Sequence, residues 1–207
     1  MEIKLKLCGI RRTEDIDFIN EFPPDYAGFV FAESPRRVTF NQVRELSKKL
    51  LPQITKVGVF VNQPIETMKD FSAEISVFQL HGDEDEGYIE QLRKIIPLEC
   101  EIWKAVRLRS AEDILKANNL PVDKLLLDAF TKDSYGGTGK TANWELIANT
   151  KINKPFFAAG GITVANLPEA AEKLKPFGID ISSGIETEGI KDRAKIKEIT
   201  QIIRRFK

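Results

Sequence analysis

The sequence predicts an α/β chain closed into a single (βα)8 barrel, and three observations carry that expectation. Short runs rich in Val, Ile and Phe recur along the 207 residues, each followed by a segment with helical periodicity or strong helix formers. There are eight such units, the number whose strands close around an interior that side chains just fill. An open doubly wound sheet would need fewer strands and usually a Gly-rich first turn, whereas the first turn here reads CGIRRT.

The strands, in order, are expected at 3–8 (IKLKLC), 26–32 (YAGFVFA), 56–61 (KVGVFV), 75–80 (ISVFQL), 101–106 (EIWKAV), 123–129 (DKLLLDA), 155–160 (PFFAAG) and 178–183 (GIDISS). Each is a short apolar run of strand length. Between them, helices are expected at 13–20, 41–51, 65–71, 88–96, 111–117, 144–149, 164–174 and 193–205. Start signals support several: Thr13 with Glu14 and Asp15, Ser110 with Glu112 and Asp113, and Thr163 before Val164. The echo of AGFVF at 27–31 in VGVFV at 57–61 suggests two strands with a small residue at one barrel layer. At about 26 residues per unit this is a compact TIM barrel, short of the roughly 250 residues typical of the class. The whole of 1–207 is therefore expected to form one domain.

Composition narrows the function classes. Lys+Arg and Asp+Glu are equal at 31 each, so nothing in the net charge calls for nucleic acid or an anionic membrane as partner. No apolar run approaches the roughly 20 residues of a membrane helix, and no signal core or Arg/Ser-rich leader is seen, which gives the expectation of a cytoplasmic protein. Its two thiols, Cys8 and Cys100, are then expected to be reduced, with Cys100 structural. One histidine in the chain argues against a structural zinc site.

In such barrels chemistry sits at the C-terminal ends of the strands. Those ends carry Cys8, the ESPRR stretch at 33–37, Asn62, His81, Arg107, Asp128, Gly160 with Gly161, and SSGIE at 182–186. Alternation along the first strand turns Ile3, Leu5 and Leu7 to the helices and Lys4, Lys6 and Cys8 to the interior. Two cations on its face would lower the Cys8 thiol pKa and make it a base or nucleophile; the competing reading is a small buried hydrophobe. Asp128 ends an apolar run, where a carboxylate is paired, used as a cap or chemically employed. His81 can equally be a hydrogen-bonded structural residue. SYGGTGKT at 134–141 fails as a P-loop, because the position of the first glycine is Ser134, and is read as a flexible loop over the barrel mouth. AAGGIT and SSGIE follow the last two strands, where backbone N–H groups at a helix start suit a phosphate dianion.

KLCGI, GFVF with SPRRV, VGVFVN, QLHGDE, LLLDA with GGTGKTANW, AAGGI and DISSGIE, in this order over the full length, resemble the phosphoribosylanthranilate isomerase family. The resemblance implies a cofactor-free, metal-free Amadori rearrangement of a small phosphorylated substrate in tryptophan biosynthesis. By the match of motifs, Cys8 would be general base and Asp128 general acid. Arg37, aligned on FVF, would hold the anthranilate carboxylate, with Arg36 its rival. The substrate-binding set is completed by His81, Gly160, Gly161, Asp180, Ser182, Ser183 and Gly184, the glycines and serines taking the phosphate and Asp180 the ribose. The resemblance leaves monomer and homodimer both open. Two other readings stand beside it: another phosphosugar-binding barrel enzyme, and a noncatalytic phosphate-binding barrel. A single histidine cannot supply the metal ligands of a ribulose-phosphate epimerase.

Overall fold

Eight parallel strands close on themselves in sequence order, β1 pairing with both β2 and β8. They are β1 Lys4–Cys8, β2 Tyr26–Val30, β3 Thr55–Phe60, β4 Val77–Leu80, β5 Glu101–Arg107, β6 Lys124–Asp128, β7 Phe156–Ala159 and β8 Gly178–Ile181. The helices are α1 Thr13–Glu21, α2 Phe40–Ser47, α3 Ile65–Phe71, α4 Glu86–Ile95, α5 Ala111–Ala117, α6 Gly139–Asn149, α7 Leu167–Leu174 and α8 Arg193–Ile203. This computed structural model describes residues 2–129 and 139–206. The Gly-rich stretch read as a loop over the mouth lies largely outside the described residues.

Strand alternation sorts the side chains into two cores. Leu5, Leu7, Phe29, Phe60, Phe78, Leu80, Leu125 and Leu127 face outward and pack with the apolar faces of the helices. Val57, Val77, Trp103, Ala105, Leu126, Phe157 and Ala159 face inward and fill the barrel. Tyr26, Trp103 and Phe157 form an aromatic plug toward the N-terminal strand ends, with ring centroids 4.6 to 5.5 Å apart. The ammonium of Lys124 lies over the Trp103 and Phe177 rings and pairs with Glu101, whose carboxylate also accepts from the Trp103 indole N–H.

The repeated glycine in AGFVF and VGVFV does not mark one layer. Gly28 points inward, where a Cβ would lie 2.8 Å from the Cys8 sulfur, whereas a Cβ on Gly58 would meet Phe60 and Ile75 on the helix side. The motifs are offset by one residue against the strand alternation, which reverses the face. Helix starts follow their capping chemistry. Asp15 accepts from the backbone N–H groups of Arg11 and Arg12, and Asp113 does the same for Arg109 and Ser110. Thr163 does not open α7: its N–H donates to the Asn166 side chain in a turn, and the helix begins at Leu167 with Pro168 in its first turn. Two features without a sequence signal follow β8: a 3-10 turn, Ser183–Ile185, and a hairpin of β9 Glu186–Thr187 with β10 Ile190–Lys191. Among the described residues no helix is long and apolar enough to cross a membrane.

Candidate active site

Inward alternation at the C-terminal strand ends brings Cys8, Val59, Val61, Gln79, His81, Arg107, Asp128, Asp180 and Ser182 into the wall of one cavity of about 400 Å³. Gly160, Gly161 and Ser183 complete its rim between β7 and β8. Gly160 and Gly161 have φ of 90° and 65°, a region that side chains with a Cβ avoid, so the turn itself requires them. Gly184 stands behind this wall rather than in it, packed so closely that a Cβ would lie 1.9 Å from the Ile162 carbonyl oxygen. A second cavity of about 570 Å³, with Lys104, Arg109 and Lys116 in its wall, meets the first at Val61, His81 and Arg107.

Cys8 is 7% exposed, and its sulfur occupies the space that Gly28 leaves open on the adjacent strand. The expected pair of interior cations is half right. Lys4 lies at the other end of the barrel, paired with Asp25 and Glu2. Lys6 is fully buried and bonds Asp180 at 2.7 Å; burial works against its charge, yet Asp180 and Cys8 outweigh it and hold the ammonium above its ordinary pKa. The second cation near the thiol is Lys191 of the hairpin, which donates to the carbonyl oxygens of Cys8 (2.6 Å) and Ser182 (3.1 Å) and to Glu186 (2.8 Å). The thiol pKa moves opposite to the expectation. Burial pushes it up, Asp180 adds to that, and Lys6 and Lys191 only partly compensate.

The two candidate arginines lie in different surroundings. Arg37 is exposed and is not part of the cavity wall, while Arg36 is. Arg36 donates through Nε and Nη2 to Glu186 at 2.7 and 2.5 Å, a fork that fixes the guanidinium plane. Glu186 thus joins Arg36 to Lys191. Burial opposes its charge, but hydrogen bonds from these two cations bring its pKa down to about 2.

His81 reaches toward Asp128, with Nε2 3.9 Å from Oδ2, and its Nδ1 lies 3.3 Å from the Gln79 amide nitrogen. Burial lowers its pKa, against an opposing contribution from Asp128. The loops on this side are held by Glu84, whose carboxylate accepts from the N–H groups of Asn62 and Gly82 and from buried Lys104. Ser182 Oγ donates to the Cys8 carbonyl oxygen at 3.2 Å, tying β8 to β1 at the rim. Among the described residues no group of three His, Cys, Asp or Glu side chains could hold a metal ion.

Sequence reading ranked Arg36 second to Arg37, gave Glu186 no role beyond its place in SSGIE, and missed Gln79 and Lys191. Gln79 was within reach, because it shares the inward face with His81 two residues on.

Known proteins match this arrangement over the whole barrel. The family model described as N-(5'-phosphoribosyl)anthranilate (PRA) isomerase covers residues 5–202. An N-(5'-phosphoribosyl)anthranilate isomerase of Clostridium acetobutylicum is 44% identical, across 99% of this chain and 100% of its own length. A phosphoribosyl anthranilate isomerase crystallised with reduced 1-(o-carboxyphenylamino)-1-deoxyribulose 5-phosphate superimposes with a TM-score of 0.81 at 30% identity, covering 98% of each chain. Monomers generated from the dimeric enzyme of Thermotoga maritima give 0.81 at 31% identity, again over 98% of each. With fold, strand-end residues and full-length similarity in agreement, the chain belongs to the phosphoribosylanthranilate isomerase family.

Proposed function

We propose that the chain, acting as one catalytic domain, isomerises N-(5'-phosphoribosyl)anthranilate to 1-(2-carboxyphenylamino)-1-deoxyribulose 5-phosphate, the family's step in tryptophan biosynthesis. The observation that carries this reading is the presence of Cys8 and Asp128 in the wall of one cavity that also holds the Gly160–Gly161 turn and Arg36. Its volume of about 400 Å³ falls in the range of small-ligand sites. The phosphate is assigned to the rim of Gly160, Gly161, Ser182 and Ser183, and the anthranilate carboxylate to Arg36, whose Nη1 lies outside its fork with Glu186. The ribose lies between them, over Asp180 and His81.

The chemistry uses one proton at each end. Asp128 in its acid form protonates the ring oxygen as the C1'–O bond breaks, giving the open-chain iminium and leaving a carboxylate. Cys8 as thiolate takes the C2' proton, and the C–H electron pair neutralises the iminium to an enolamine that tautomerises to the ketone. A single proton shared between the two side chains is productive only when it is on Asp128. The chain's own groups suffice for this sequence.

Loss of anthranilate-type fluorescence on mixing freshly prepared phosphoribosylanthranilate with the protein tests the activity. Turnover supports the reading, and a folded protein that binds phosphate without turnover overturns it. The dimeric state named for the Thermotoga maritima protein is extended here as a proposal, to be read by light scattering in solution. A cytoplasmic location is part of the same reading.

A further inference from the structure

Gln79 stands out within the barrel. It is 1% exposed, faces inward beside the cavity, and its Oε1 has no hydrogen-bond partner among the described residues, while the other end of the same amide meets His81 Nδ1 at 3.3 Å. An apolar side chain would fill that place without the cost of a buried unpaired acceptor. The two ends of the amide are distinguished by which arrangement leaves less unpaired. With the NH2 group on Nδ1, one carbonyl oxygen is left over. With the amide reversed, both amide N–H donors would be stranded, which is the costlier arrangement. An NH2 group that donates to Nδ1 requires a lone pair there, so the imidazole proton must be on Nε2. That nitrogen faces the Asp128 carboxyl 3.9 Å away.

We propose that Gln79 is a positioning residue: its buried amide holds His81 neutral as the Nε2–H tautomer and so presents an N–H donor beside Asp128, where the ring oxygen of the substrate is protonated. This rests on the isomerase reading for its consequence but not for its geometry. A charged imidazolium would need a proton on Nδ1, against the amide N–H, so the same contact that orients the ring also opposes its ionisation. A fixed donor at this point steadies the oxygen as its bond to C1' breaks, without a second positive charge next to the acid. Burial of the ring acts in the same direction.

His81 is the only histidine in the sequence, so its two ring nitrogens can be followed without ambiguity by 15N-detected correlation NMR of the labelled protein. The expected result for the wild type at neutral pH is an unprotonated Nδ1 and a protonated Nε2. In Gln79→Met, which keeps the volume, the spectrum shifts to a mixture of tautomers with a higher imidazole pKa. Gln79→Glu, whose carboxylate accepts instead of donating, moves the proton to Nδ1. In kinetics Gln79→Met lowers kcat roughly tenfold with KM little changed, the scale of one modest hydrogen bond. A wild-type ring protonated on Nδ1, or a tautomer indifferent to both substitutions, overturns the proposal. A correct tautomer in a protein that does not turn over phosphoribosylanthranilate overturns the isomerase reading instead and leaves the clamp standing.

Discussion

The Lys191 ammonium lies 2.6 Å from the carbonyl oxygen of Cys8, so the strand end that carries the thiol is held by a residue 183 positions away in the chain. The same nitrogen bonds Glu186, and Glu186 forks onto Arg36. One carboxylate thereby couples the positions of Cys8 and Arg36, the base and the carboxylate-binding arginine of the proposed reaction.

Removing the thiol should abolish turnover without unfolding the barrel. Cys8→Ala and Cys8→Ser are expected to lose at least about 100-fold in kcat, the lower range for a general base. Because serine keeps an atom in the space beside Gly28 and alanine gives up only the one sulfur atom, at the wall of an open cavity, thermal unfolding should stay within a few degrees of the wild type. A Cys8→Ala protein with near-normal turnover in the fluorescence assay would assign the base elsewhere.

The pH profile should carry the mark of a buried thiol. With one proton shared between Cys8 and Asp128, the thiolate-with-acid form is a fixed fraction of the pair between its two titration steps, so kcat/KM is expected to stay level through neutral pH and to fall only above the ordinary thiol range, where the buried Cys8 titrates. A thiol perturbed downward would instead bring the falling limb toward neutral pH in the measured kcat/KM profile.

Arg36 and Arg37 should separate cleanly. Arg36→Ala is expected to raise KM by about 10- to 100-fold, the worth of a charge-assisted hydrogen bond or two, while Arg37→Ala leaves it within about twofold. Steady-state kinetics on the two variants decide it, and the reverse pattern would return the role to Arg37.

Glu186→Gln should cost both stability and affinity. The folded-state pKa of about 2 lies below the ordinary 4.5, so its stabilisation is complete above about pH 5 and is lost as pH falls toward 2. Urea unfolding of wild type and variant should therefore differ at pH 6, narrow through pH 3 and converge near pH 2, and a gap independent of pH would mean that packing rather than charge is responsible. KM should rise as Arg36 loses its fork.

The barrel and most of its strand ends were legible because two periodicities repeat eight times, and strand alternation then decides which side chains reach the interior. The first strand shows both the reach and the limit of that rule. Cys8 and Lys6 face inward as alternation requires, but Lys4, on the same face, is already at the opposite end of the barrel with Asp25. The rule gives a side chain its direction and says nothing of its height along the axis. Arg36 and Arg37 lie in a loop, where no period separates neighbours, and alignment on FVF chose the exposed one. Glu186 and Lys191 belong to two-residue strands of a hairpin, too short to leave a pattern. The thiol pKa was misjudged because sequence counts charges along one strand, whereas burial and the Asp180 carboxylate come from the closed barrel.

The Tyr26, Trp103 and Phe157 rings, with Lys124 across them, stopper the vessel at its base. A hydrogen exchanged with solvent during the rearrangement must therefore enter and leave by the same opening as the sugar. While substrate occupies that opening, the hydrogen taken from C2' is sequestered with it, and isotope from heavy water should wash into product more slowly than the sugar itself comes and goes.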